Sequence, residues 1–243
     1  MHAKPVPPKV RVVITWLLTL SFAQGQRLSD LSTQSPLLPG ETLIIGFLGG
    51  VERWNDPNRG IRKLTMKLRQ TPEIHAESFG NSHSNTALRL IVKALDTDGN
   101  HILSDQERSQ ARIILYGQSL GGQTTIRLAR ALNKRQIPVL LTVQVDSVGP
   151  TDHTIPPNVQ SAANFYQREL LTVRGRTNIH AADPQKTVIL TNKQFHYPPL
   201  VPISPKPKGW ARRHLGGAHA RMEADPKLWA EVESYIRQTL AKK

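Results

Sequence analysis

Ten residues constrain this chain more than any others: Ile-Ile-Leu-Tyr-Gly-Gln-Ser-Leu-Gly-Gly at positions 113–122. The first four are apolar and suit a buried strand. The residues from Gly122 to Lys134 carry Ile126, Ala129 and Leu132 along one helical face. Between them lies Gly-x-Ser-x-Gly, from Gly117 to Gly121. A chain that turns from strand to helix within so few residues needs small neighbours, because its two arms come close together. Such a junction belongs in a layered α/β molecule.

The rest of the chain has the same rhythm. Thr42–Leu48, Glu73–Phe79, Arg112–Tyr116, Pro138–Val145 and Thr187–Thr191 are short apolar runs and predict strands. Gly60–Gln70, Ser84–Leu95 and Gly122–Lys134 predict helices. Asp225-Pro226 opens a last helix, with aspartate at the cap and proline in the first turn. Strands apolar throughout and alternating with helices predict a mostly parallel sheet covered on both faces. Residues 42–243 are expected to form one domain, preceded by a polar arm over 24–41. The proline-rich stretch from Tyr197 to Pro207 predicts an extended loop or lid, and Lys206, Lys208, Trp210, Arg212 and Arg213 give it a basic end suited to an anionic surface.

At the N-terminus, Lys4, Lys9 and Arg11 precede an apolar run from Val12 to Leu20, and small residues follow to Gly25. This is the layout of a secretory signal peptide over 1–23, too short for a spanning helix, and it predicts a secreted or periplasmic protein. The formal charge is +14. Such a balance favours anionic partners, but no nucleic-acid motif accompanies it. The absence of cysteine excludes disulfides, thiolate metal sites and a cysteine nucleophile.

Ser119 occupies the centre of the turn, where its hydroxyl projects above the sheet near the positive end of the following helix. The amide of Leu120 is placed to bind a developing oxyanion. Tyr-Gly-Gln-Ser-Leu-Gly-Gly in this setting resembles the α/β-hydrolase superfamily, in its lipase- and esterase-like branch, over most of residues 42–241. The resemblance implies a three-layer α/β-hydrolase fold. It also implies a Ser-His-Asp triad that cleaves a carboxylic ester or related acyl bond of a small-molecule or lipid substrate, with no cofactor required for catalysis.

By that resemblance a second oxyanion amide comes from the glycine-containing loop after an earlier strand. Ile45-Gly46-Phe47-Leu48-Gly49-Gly50 fits the place, with Phe47 or preferably Leu48 as donor. The base is expected in the loop before the last helix, where His219 stands in Leu-Gly-Gly-Ala-His; His214 is its nearest rival, and His153, His180 and His196 belong to earlier segments. For the acid, Asp146 directly follows the strand ending at Val145, with Asp152 and Asp183 as alternatives. Two other readings use the same fold: a non-catalytic binding or structural module that depends on calcium, and an acyltransferase using the same serine.

Residues 96–107 read Asp-Thr-Asp-Gly-Asn-His-Ile-Leu-Ser-Asp-Gln-Glu. Oxygen ligands fall at positions one, three, five, nine and twelve, namely Asp96, Asp98, Asn100, Ser104 and Glu107, with the Ile102 carbonyl at position seven. The pattern resembles an EF-hand loop and implies a structural calcium. His101 stands where that loop prefers glycine, and little chain follows before the next strand. The same residues also read as a polar turn followed by a capping box from Ser104 to Glu107.

Overall fold

A computed structural model describes residues 26–50, 52–168, 173–197 and 217–242. The predicted signal peptide, His214 and, apart from Tyr197, the predicted proline-rich loop with its basic end lie outside the described residues.

The strands are β1 (Thr42–Phe47), β2 (Ile74–Phe79), β3 (Ile113–Gln118), β4 (Val139–Val145), β5 (Thr154–Ile155), β6 (Val159–Tyr166), β7 (His180–Ala181) and β8 (Val188–Gln194). The helices are α1 (Gly60–Leu68), α2 (Ser84–Leu95), α3 (Asp105–Ser109), α4 (Leu120–Asn133), α5 (Ala218–Ala224) and α6 (Pro226–Leu240). Six strands form one sheet in the order β2-β1-β3-β4-β6-β8, and every pairing in it is parallel. β5 and β7 form a small separate pair. Among the described residues, no helix is long and apolar enough to cross a membrane.

Strand side chains alternate between faces, and the core divides accordingly. Leu43, Ile45 and Phe47 of β1 join Ile113 and Leu115 of β3 against Leu90 and Ile91 of α2 and Ile126 and Ala129 of α4. Ile44 and Ile114, one residue out of step, pack on the other face with Ile61 and Leu64 of α1 and Leu228, Val232 and Ile236 of α6. Full burial of each Ile or Leu side chain stabilises by about 1.5–3 kcal/mol over its exposed state. The sheet is thereby covered on both sides, as the apolar strands require.

The regular alternation of strand and helix stops at β4. Among the described residues, the connections from β4 to β6 and from β6 to β8 carry only β5 and β7. β6 itself was not expected, because Gln160, Ser161 and Asn164 interrupt its apolar pattern. Asn164 is fully buried and donates to the carbonyls of Arg176 and Thr177 and to Asn192 Oδ1 on β8. Bonded in this way, a polar residue is tolerated inside a parallel sheet.

The N-terminal arm is fixed to the outer strand β2. Glu77 Oε1 accepts from the amides and hydroxyls of Ser32 and Thr33 at 2.7–2.9 Å, while Oε2 pairs with Arg69 at 2.8 Å. This carboxylate, 1% exposed, ties the arm to an edge that would otherwise be open to another chain.

Candidate active site

The strand order puts a crossing point between β1 and β3. From β1 the chain leaves to β2 on one side and returns to β3 on the other. In an open parallel sheet, the crevice at such a point lies beyond the C-terminal ends of the two strands. Ser119 follows β3 there, and Gly49 lies just beyond the end of β1.

Ser119 adopts φ 58° and ψ −125° between β3 and α4. A side chain rarely takes this backbone conformation, and a fixed framework must hold it. That framework is visible. The Ser119 amide donates to Val145 O at 2.9 Å, and its carbonyl accepts from the amides of Gly122 at 3.0 Å and Val148 at 3.2 Å. The hydroxyl has no hydrogen-bond partner among the described residues. The sharp junction predicted from the sequence is therefore present.

Asp146 follows β4 and is also strained, with φ 42°. Its carboxylate is fully buried. Oδ1 accepts from the Gly175 amide at 2.6 Å; Oδ2 accepts from Gln167 Nε2 at 2.9 Å and from His219 Nδ1 at 2.6 Å. Because the carboxylate only accepts, Nδ1 of His219 is the donor in this bond, and in the neutral ring that leaves Nε2 as the acceptor. That nitrogen lies 3.4 Å from the side-chain amide of Gln118, the residue directly before Ser119. The structure thus brings Ser119, His219 and Asp146 to one end of the sheet.

Other residues in this arrangement were not anticipated. Gln167 stands directly after β6, one strand beyond Asp146 in the sheet, and supplies an amide where a second carboxylate would repel. Gly175 is required by close approach: a Cβ there would meet Asp146 Cα at 2.6 Å. Neither has a sequence signal, since β6 was not recognised and the glycine stands alone between two arginines. His219 is the second residue of α5 rather than a loop residue as expected. The helix it belongs to is short and interrupted before Pro226, so its periodicity is weak.

The expected rivals lie elsewhere. Asp152 is buried but accepts from Ser147 Oγ at 2.5 Å and faces Arg176 at 3.4 Å. Asp183 accepts from the Gln185 amide in a turn. The His153 and His180 rings pack against each other, with centroids 5.4 Å apart, and His196 is exposed beside Gln194.

The expected donor Leu48 is corrected. Its amide donates to Phe79 O at 2.9 Å, so the ladder with β2 runs one residue past the end of β1 and occupies it. The next amide, that of Gly49, donates to no acceptor among the described residues, and neither does that of Leu120. A Cβ built on Gly49 would stand 2.9 Å from Ser119 Cβ, so this backbone lies directly beside the serine. Beyond it, burial pushes the Glu52 carboxyl above its ordinary value, opposed by Arg59 at 2.9 Å.

The expected metal loop is present as a turn. Carboxylate oxygens of Asp96, Asp98 and Glu107 lie within 4.8 Å of one another. The Ser104–Glu107 capping box also forms and opens the five-residue helix α3.

No protein-family model matches the chain, and no curated protein matches it. Among solved structures, the chain is similar to RedJ with a PEG molecule bound in the active site. The TM-score is 0.42 and the identity 10%, over 84% of this chain and 94% of that one.

Proposed function

We propose that the chain is an exported serine hydrolase of the α/β-hydrolase type, cleaving a carboxylic ester or related acyl bond. The observation that carries this reading is the strained Ser119 at the strand-to-helix turn, with the hydrogen-bonded His219–Asp146 pair reaching the residue beside it. Three features of unrelated local origin agree on one chemistry.

In this mechanism the Ser119 hydroxyl rotates toward His219 Nε2, replacing the long contact to Gln118. Oγ attacks the acyl carbonyl and the imidazole takes its proton. Asp146 holds the Nδ1 proton and stabilises the imidazolium that forms. The amides of Leu120 and Gly49 receive the oxyanion of the tetrahedral intermediate. Collapse expels the alcohol, which takes the proton from His219. Water, activated by the same imidazole, then releases the acid from the acyl enzyme. Export rests on the N-terminal sequence.

The test is a panel of acyl esters and thioesters of increasing chain length, given to the wild type and to Ser119→Ala. The expected loss in kcat for the variant is on the order of 10⁴- to 10⁶-fold. Equal rates for the two proteins, or no turnover by folded wild type across the panel, would sink the proposal.

A further inference from the structure

The loop before α3 carries a feature that acyl transfer does not use. Asp96 is 7% exposed, and its Oδ2 accepts from the His101 amide at 3.0 Å. Its other oxygen, Oδ1, is buried and accepts no hydrogen bond. A buried carboxylate oxygen without a donor is costly and requires a compensating partner. Nearby groups add to the negative charge: carboxylate oxygens, one each from Asp96, Asp98 and Glu107, lie within 4.8 Å of one another. Among the described residues, the one basic group within 4 Å of the Asp96 carboxylate is the exposed His101 ring, 3.5 Å away on the Oδ2 side. Arg108 turns instead to Asp105 and the Leu103 carbonyl.

The loop is held in shape around these oxygens. Asn100 donates its amide to Asp98 Oδ1 at 3.0 Å, and Asn100 Oδ1 accepts from the Ile102 amide at 2.7 Å. Glu107 is fixed by the amides of Thr97 and Ser104 at 2.7 and 2.8 Å. Leu103 anchors the turn to the hydrophobic core.

We propose that residues 96–107 bind one calcium ion, through the carboxylates of Asp96, Asp98 and Glu107 with the Asn100 side chain and the Ile102 carbonyl. All the donors are oxygen, which selects a hard cation. Several oxygens on a single short loop suit the larger and less regular shell of calcium better than the rigid octahedron of magnesium. The bare Asp96 oxygen is the group that the ion satisfies. The site lies one short helix before β3 and acts on stability. It is independent of the serine.

The test uses protein stripped with a chelator and titrated with calcium chloride or magnesium chloride by calorimetry, with thermal melting in parallel. The expected result is one calcium per chain and a melting midpoint raised by about 5 °C or more at a hundredfold excess over Kd. Magnesium gives a smaller shift. Asp98 is exposed, so Asp98→Ala is expected to melt like the stripped wild type and to lose the calcium shift; Asp96→Asn loses it too. Absence of calcium binding by the wild type, an equal magnesium response, or full calcium binding by both variants overturns the site. Ser119→Ala is expected to bind calcium as the wild type does, so failure of the hydrolase reading leaves this result untouched.

Discussion

Asp146→Asn is expected to lower turnover of a carboxylic ester by about 10⁴-fold. Among the described residues, four hydrogen bonds reach this carboxylate, from His219 Nδ1, Gln167 Nε2, and the amides of Gly175 and Gln167. Asparagine replaces one accepting oxygen by an NH₂ group. Turned toward His219, that group forces the imidazole proton onto Nε2 and removes the base. Turned toward Gly175, it sets two buried donors against each other, which costs about 1–3 kcal/mol. The first arrangement retains the backbone bonds at Oδ1 and exchanges a tautomer, but it also sets the NH₂ group against Gln167 Nε2, which donates to the same oxygen at 2.9 Å. Either way the loss falls on kcat more than on KM, with a stability cost of about 1–3 kcal/mol beside it. Steady-state kinetics beside a melting curve make the comparison, with Asp183→Asn as a control at the wild-type rate. A loss of less than tenfold would remove Asp146 from the triad.

Gly121→Ala is expected to destabilise the fold by about 3 kcal/mol or more, at the upper end of overpacking costs. Helix propensity alone predicts the opposite, since alanine is better than glycine by about 1 kcal/mol inside a helix. Packing decides the sign. A Cβ at Gly121 would land on the Phe47 carbonyl oxygen, with the Phe47 carbonyl carbon at 2.6 Å and Leu48 O at 2.7 Å. The Phe47 atoms belong to the central strand β1, paired on both sides and unable to yield, and Leu48 directly follows it. For a chain of this size the melting midpoint should fall by about 6–12 °C. Gly50→Ala provides the contrast, because nothing lies within 4 Å of a Cβ there and only its φ of +48° resists the change. Equal stability of Gly121→Ala and the wild type would mean that the turn is looser than described.

The turn around Ser119 was legible because its requirements are local. A strand, a small-residue bend and a helix are each encoded within a few positions, and the strain falls on the residue between them. α2 was legible at its full extent, Ser84–Leu95, for the same reason: its apolar face repeats at helical spacing. β6 was not, because its buried Asn164 is neutralised by partners remote in sequence. Missing that strand also hid Gln167. Leu48 was misjudged over one hydrogen bond, since the point where a ladder stops depends on the neighbouring strand and not on the residue itself. The attachment of the arm through Glu77 joins positions about forty-five residues apart and leaves no local pattern.

The central claim is that Ser119 is an activated nucleophile. The direct measurement is the intact mass of the folded protein after exposure to a fluorophosphonate, followed by peptide mapping of the adduct. The account predicts one phosphonyl group per chain, on Ser119, absent from Ser119→Ala and strongly slowed in His219→Ala. No adduct on folded wild type, or an adduct on another side chain, would contradict it.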